Sequence, residues 1–172
     1  EMYSWTKEHL QDKTDYLYFD RINIDGSVGP AKHAYNSGQM MQSAAIQYKL
    51  TKDTVYLIDA QKIAKSCYDY FFRDYVTASG KQIRLLKKGD VWFSAVMLRG
   101  FAELYSLDKN DMYVTEFAKS LDYAWLHARD EYGLFGVDYS GECCDPKKWF
   151  LTQAAMVEMY ARLASIDKEN SR

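Results

Sequence analysis

Trp92-Phe93-Ser94-Ala95-Val96-Met97-Leu98-Arg99-Gly100-Phe101-Ala102-Glu103-Leu104-Tyr105 is apolar on nearly every side of a 3.6-residue helix, broken mainly by Ser94, Arg99, Gly100 and Glu103. A helix of that kind has no face for water, so it is expected to be buried on most sides. The helical stretch before it reads differently. From Thr54 to about Phe72, the residues Tyr56, Leu57, Ala60, Ile63, Ala64, Cys67 and Phe71 form one stripe, with Asp59, Lys62, Lys65 and Asp69 outside it. That is a surface helix. Asn110 to about Ala128 is striped again through Tyr113, Val114, Phe117, Leu121, Ala124 and Trp125, and Phe150 to Leu163 returns to the apolar type. Inner and outer helices alternate.

The alternation is accompanied by a repeat. Ile46-Gln47-Tyr48-Lys49-Leu50-Thr51-Lys52-Asp53, Glu103-Leu104-Tyr105-Ser106-Leu107-Asp108-Lys109-Asn110 and Glu158-Met159-Tyr160-Ala161-Arg162 end in a similar way, and their tyrosines stand 57 and 55 residues apart. A period of that length fits one pair of helices with its connections, repeated as a stacked array. Start signals agree with this placement. Asn36 with Gln39 reads as a capping box, Asp53 and Asn110 as N-caps, and Asp145-Pro146 as a proline at a first helical position. The fold class is all-α, built of antiparallel hairpins that form either an open solenoid or a closed two-layer toroid, and periodicity alone does not choose between them.

Composition excludes several functions. Lys plus Arg number 22 against 24 Asp plus Glu, for a net charge of -2, with no basic stripe to neutralise phosphates, so nucleic acid is not an expected partner. No stretch is long and apolar enough to span a membrane. His9, His33 and His127 show no ligand spacing with one another or with Cys67, Cys143 and Cys144, so neither a metal nor a cofactor is expected; His33 reads as a solvated loop residue. Asp25-Gly26-Ser27-Val28-Gly29-Pro30 lacks the Gly-Lys-Ser/Thr of a phosphate loop and reads as a turn. Aromatic residues make up 16% of the chain, with Tyr 15 and Trp 4, which suits both core packing and stacking platforms for flat ligands such as sugars.

Four segments, in order, carry a family resemblance. Ala34-Tyr35-Asn36-Ser37-Gly38 resembles the Thr-Tyr-Asn-Gln-Gly of glycoside hydrolase family 76, and Thr51-Lys52-Asp53-Thr54-Val55-Tyr56-Leu57-Ile58-Asp59-Ala60 resembles its Thr-Gly-Asp…Tyr-Leu…Ala continuation. Trp92 to Arg99 is similar to the family's Phe-Lys-Gly-Ile-Phe-Val-Arg, with Ser94 and Ala95 in place of lysine and glycine, and Thr152-Gln153-Ala154-Ala155-Met156-Val157-Glu158-Met159 resembles its closing inner helix. The resemblance implies an (α/α)6 toroid of six hairpins, of which residues 1–172 hold about three, as a single partial domain that begins inside a helix at Glu1 to Leu10. It further implies hydrolysis of α-1,6-mannan, a secreted or cell-envelope location, and two partners: mannan or a mannooligosaccharide, and an N-terminal half that covers the open apolar sides of the first and last inner helices.

Glycoside hydrolysis generally uses two carboxyl groups flanking the scissile bond. The resembled family presents an adjacent Asp-Asp pair in its N-terminal half, and no Asp-Asp occurs in this chain, so no catalytic residue is assigned and the isolated chain is expected to be inactive. What remains is a substrate-binding wall: Tyr18 and Asp20 in a loop, Tyr35 and Asn36 at one inner helix start, Trp92 and Phe93 at the next, and Gln153 at the last. Plainer roles stand beside these: packing for the tyrosines and Phe93, a turn cap for Asp20, an N-cap for Asn36, and a helix-end polar group for Gln153. Arg99 and Glu103, four residues apart, read as a structural ion pair. The alternative function is a non-catalytic helical scaffold or carbohydrate-binding protein on the same toroid.

Overall fold

The computed structural model describes residues 1–143 and 146–170. Among the described residues six helices and one hairpin follow one another: α1 (Met2–Leu10), α2 (Ala34–Thr51), α3 (Thr54–Phe71), β1 (Phe72–Val76), β2 (Gln82–Leu86), α4 (Val91–Asp108), α5 (Met112–His127) and α6 (Phe150–Asn170). The apolar helix is buried as its pattern requires, through Val91, Ser94, Ala95, Val96, Met97, Leu98, Gly100, Phe101 and Leu104. Striped α3 and α5 bury one face each.

The repeat has a physical meaning. Lys52 and Lys109 end α2 and α4 in the left-handed region, at φ 61 and 59, and their N–H groups donate to the carbonyls of Tyr48 and Tyr105. The first two repeated segments are therefore left-handed helix stops followed directly by the start of an outer helix, while the third, Glu158 to Arg162, lies inside α6. Asp53 caps α3 by accepting from the Val55 N–H at 3.0 Å. Asn110 accepts from the Met112 N–H at 3.2 Å, one residue ahead of Asp111, which occupies the N-cap position of α5.

Three expected features are corrected. Asn36 is not a cap: α2 begins at Ala34 with His33 as its N-cap, so Asn36 lies inside the first turn and its side chain turns elsewhere. Pro146 does not open α6, which starts at Phe150; Asp145 lies outside the described residues. Arg99 does not pair with Glu103. Its guanidinium forks onto Glu158 of α6 with two bonds of 2.7 Å, while Glu103 accepts from Lys49 at 3.3 Å. Arg99 and Glu158 each stand eight residues past the start of their helices, and the segment Phe135 to Val137 bonds both to Gln153 in the first turn of α6 and to Gly89 just before α4, so α4 and α6 lie side by side, parallel and in register.

The β1–β2 hairpin is an addition to the all-α expectation. Its strands pair antiparallel from Phe72↔Leu86 to Val76↔Gln82, across a turn in which Gly80 takes φ 80. Ser120 of α5 holds it, accepting from the Leu86 N–H at 3.2 Å and donating to the Arg84 carbonyl at 3.4 Å.

Between the inner helices α2 and α4 the backbones almost touch. A Cβ on Gly38 would lie 2.5 Å from the Met97 Cα, and one on Gly100 would lie 2.6 Å from the Gly38 carbonyl oxygen. Glycine at both positions permits a crossing that any side chain would wedge apart. The flanks of this inner layer are not covered: Leu50 of α2 is 75% exposed, and Phe150 and Val157 of α6 are 86% and 68% exposed.

Candidate functional site

Helices α2 and α4 start at the same end of the molecule, because residues of their first turns meet. The loop of residues 11–33 folds back over that end through short antiparallel bridges, Gln11↔Tyr18, Phe19↔Lys32 and Ile22↔Val28. The Asp20 N–H donates to the Ala31 carbonyl at 2.9 Å, which sets the Asp20 carboxylate above the start of α2. There its Oδ1 accepts a short bond from the Tyr35 hydroxyl and a second, at 3.0 Å, from Asn36 Nδ2. The side chain of Asn36, expected to cap a helix, thus fixes a carboxylate.

Tyr35 is at the centre of an aromatic stack. His33 lies parallel to it with ring centroids 5.8 Å apart and an interplanar angle of 8°, and Trp92 lies on it at 5.2 Å and 22°. Phe93 closes the group at 4.7 Å from Tyr35, 5.1 Å from His33 and 4.3 Å from Trp92. All four rings are half-buried. Asp20 is held below the usual carboxylate range, first by the Tyr35 hydroxyl and then by the Asn36 amide. The Tyr35 hydroxyl is raised in turn by the anion it serves. The carboxylate is therefore ionised through the neutral range.

Five of the seven residues expected at a binding wall come together here: Asp20, Tyr35, Asn36, Trp92 and Phe93. Two do not. Tyr18 is 1% exposed and belongs to the core, because its N–H donates to Ser37 Oγ at 3.0 Å and draws the chain down onto α2. Gln153 serves the fold. Its amide clamps the backbone of Phe135, accepting from the N–H at 3.0 Å and donating to the carbonyl at 2.9 Å. His33, expected as a solvated loop residue, is instead half-buried in the stack, because as the N-cap of α2 it sits at the rim where Tyr35 and Phe93 meet.

Half-buried rings beside a carboxylate and an amide offer apolar ring faces for C–H surfaces and fixed polar atoms for hydroxyl groups. Among the described residues no group of three or more His, Cys, Asp or Glu side chains could hold a metal ion. The sequence profile of glycosyl hydrolase family 76 matches residues 1–170. The chain belongs to glycoside hydrolase family 76. A family 76 glycoside hydrolase from a bovine strain of Bacteroides thetaiotaomicron superposes with a TM-score of 0.90 at 36% identity, covering 96% of this chain and 37% of its own. A family 76 mannosidase from Bacteroides thetaiotaomicron VPI-5482 matches with a TM-score of 0.90 at 36% identity, over 98% of this chain and 48% of its own. The α-1,6-mannanase of Salegentibacter sp. HEL1_6 matches with a TM-score of 0.74 at 25% identity, over 95% of this chain and 50% of its own. No curated protein sequence matches the chain.

This family 76 chain thus spans half or less of the length of those relatives, and its helices correspond to about half of an (α/α)6 toroid. An inactive variant of the Salegentibacter enzyme, with two consecutive aspartates replaced by asparagine, has a solved structure in complex with α-1,6-mannotriose. The present chain contains no consecutive aspartates.

Proposed function

We propose that this chain forms one wall of the cleft of a glycoside hydrolase that cleaves α-1,6-mannosidic bonds, and that the two reacting carboxyl groups come from residues outside it. The observation that carries this reading is the Tyr35–Trp92 stack beside the doubly held Asp20 at the helix starts of α2 and α4. In an α-1,6-linked mannan, each ring keeps its 2-, 3- and 4-hydroxyls free and presents an apolar C–H face. A ring platform next to a fixed anion matches both features. Hydrolysis itself needs a protonated acid and an ionised carboxylate across the scissile bond, and Asp20, held as an anion by its neighbours, does not fill the acid's role.

The partner of the wall is the other half of the toroid, which would cover the exposed Leu50, Phe150 and Val157 at roughly 25 cal/mol for each Å² of apolar surface removed from water. A mannan-degrading role fits a secreted or cell-envelope protein; no helix among the described residues is long and apolar enough to cross a membrane. The test is calorimetric titration of the full-length gene product with α-1,6-mannotriose, together with hydrolysis of linear α-1,6-mannan. Trp92→Ala is expected to weaken binding about fivefold to tenfold, from the ~1–1.5 kcal/mol of one aromatic contact. Unchanged affinity in Trp92→Ala would remove this wall from the cleft. Binding without hydrolysis would leave a carbohydrate-binding protein.

A further inference from the structure

Both donors that hold Asp20 bond to the same oxygen. The Tyr35 hydroxyl and Asn36 Nδ2 converge on Oδ1, and no hydrogen bond to Oδ2 occurs among the described residues. A carboxylate oxygen has two acceptor sites, and a half-buried one beside an aromatic stack is suited to neutral donors that arrive with a ring. Resting on the proposed mannan reading, we propose that Asp20 Oδ2 accepts hydroxyl donors from a mannose ring lying against Trp92, and that Tyr35, itself covered by its ring neighbours, is the positioning residue that sets Oδ2 for this role.

Three features support the assignment of roles. Tyr35 cannot swing away from Asp20, because His33 and Trp92 lie on its ring at 5.8 and 5.2 Å and Phe93 closes the edge. Its hydroxyl is therefore presented to Oδ1 by packing, and the carboxylate plane is set by two fixed donors at once. Asn36 comes from the next position of the same helical turn, so both donors move as one body with α2. The Asp20 backbone is pinned separately, by its N–H on the Ala31 carbonyl. Oδ2 is consequently an acceptor of fixed direction, which is what discrimination among sugar hydroxyls requires.

Charge strengthens the arrangement. A hydroxyl donating to an anion makes a shorter and stronger bond than one donating to a neutral oxygen. The groups around Asp20 are the Tyr35 hydroxyl, the Asn36 amide, His33 of the α2 start and Arg21 of its own loop, and each of them lowers the proton affinity of the carboxyl group against the opposing effect of burial. Loss of the Tyr35 hydroxyl removes the largest of these influences.

The experiment is titration of the full-length gene product with α-1,6-mannotriose between pH 3 and 7, for the wild type, Asp20→Asn, Tyr35→Phe and Trp92→Ala. Asp20→Asn is isosteric and is expected to weaken binding tenfold or more at pH 7, as suits a lost charge-assisted bond. Tyr35→Phe keeps the ring stack and loses only the hydroxyl. It is expected to weaken binding severalfold and to move the acid limb of the affinity profile to higher pH, a displacement that a purely packing role for Tyr35 would not produce. Wild-type affinity in Asp20→Asn, with Trp92→Ala weakened, would overturn this inference and leave the ring wall standing. An unshifted acid limb in Tyr35→Phe would overturn its positioning role. Absence of binding by the wild type would overturn this inference and the mannan reading together.

Discussion

Replacing Gly38 by alanine adds one methyl group at the tightest point of the structure. The new Cβ would meet the Met97 Cα at 2.5 Å, the Met97 nitrogen at 2.9 Å and the Val96 carbonyl oxygen at 3.1 Å. Carbon atoms pack best at about 3.5–4.0 Å, so the two helices must separate locally by roughly 1 Å. All three obstacles are backbone, and none can rotate aside as the end of a side chain could. Overpacking a core costs about 1–3 kcal/mol, and a backbone clash belongs at the upper end of that range. Alanine returns up to about 1 kcal/mol through its better helix propensity. The net expectation is a loss of about 2 kcal/mol, or a fall in Tm of roughly 4–8 °C for a chain of this size. Urea unfolding followed by far-ultraviolet circular dichroism measures it, with Gly89→Ala as the control, since nothing lies within 4 Å of a Cβ at that position. Stability in Gly38→Ala equal to or above that of the wild type would refute the close crossing of α2 and α4, and with it the placement of Tyr35 against Trp92.

Gln153→Leu leaves the buried Phe135 backbone without its clamp and is expected to cost about 1–2 kcal/mol in urea unfolding, with faster proteolytic cleavage between residues 129 and 135. Lys32 pairs with Asp12 at 2.6 Å and Asp15 at 2.7 Å, and Asp12 is pulled down to about 2 by the Lys32 ammonium and then by Thr14. Because the folded value lies below the unfolded one of about 3.9, the pair stabilises above that pH and its contribution fades as pH falls towards 2. Lys32→Met should flatten the loss of stability across that window in urea midpoints measured against pH; an unchanged slope would show that the pair contributes nothing.

The sequence by itself determined the helices and their layering. Apolar residues all round α4 and a single stripe on α3 and α5 leave one arrangement for water, and the Tyr-to-Lys repeat marks two left-handed stops that place the outer helices. Those signals are local, carried by residues within a few turns of one another. The partners of long side chains were decided only by tertiary structure. Arg99 had Glu103 within reach on its own helix, yet the parallel neighbour α6 set Glu158 at the same height with both oxygens facing the guanidinium. Asn36 looked like a cap until the returning loop brought a carboxylate over it, and Tyr18 and Gln153 looked available until the core and the Phe135 backbone engaged them. The five-residue strands of the hairpin were hidden for a related reason: their order comes from pairing across the turn and from Ser120 of a helix more than 30 residues away, and a short segment carries no sign of such a partner. The site exists because α2 and α4 approach closely enough at Gly38 and Gly100 to stack Tyr35 on Trp92, a distance that no pattern along the chain encodes.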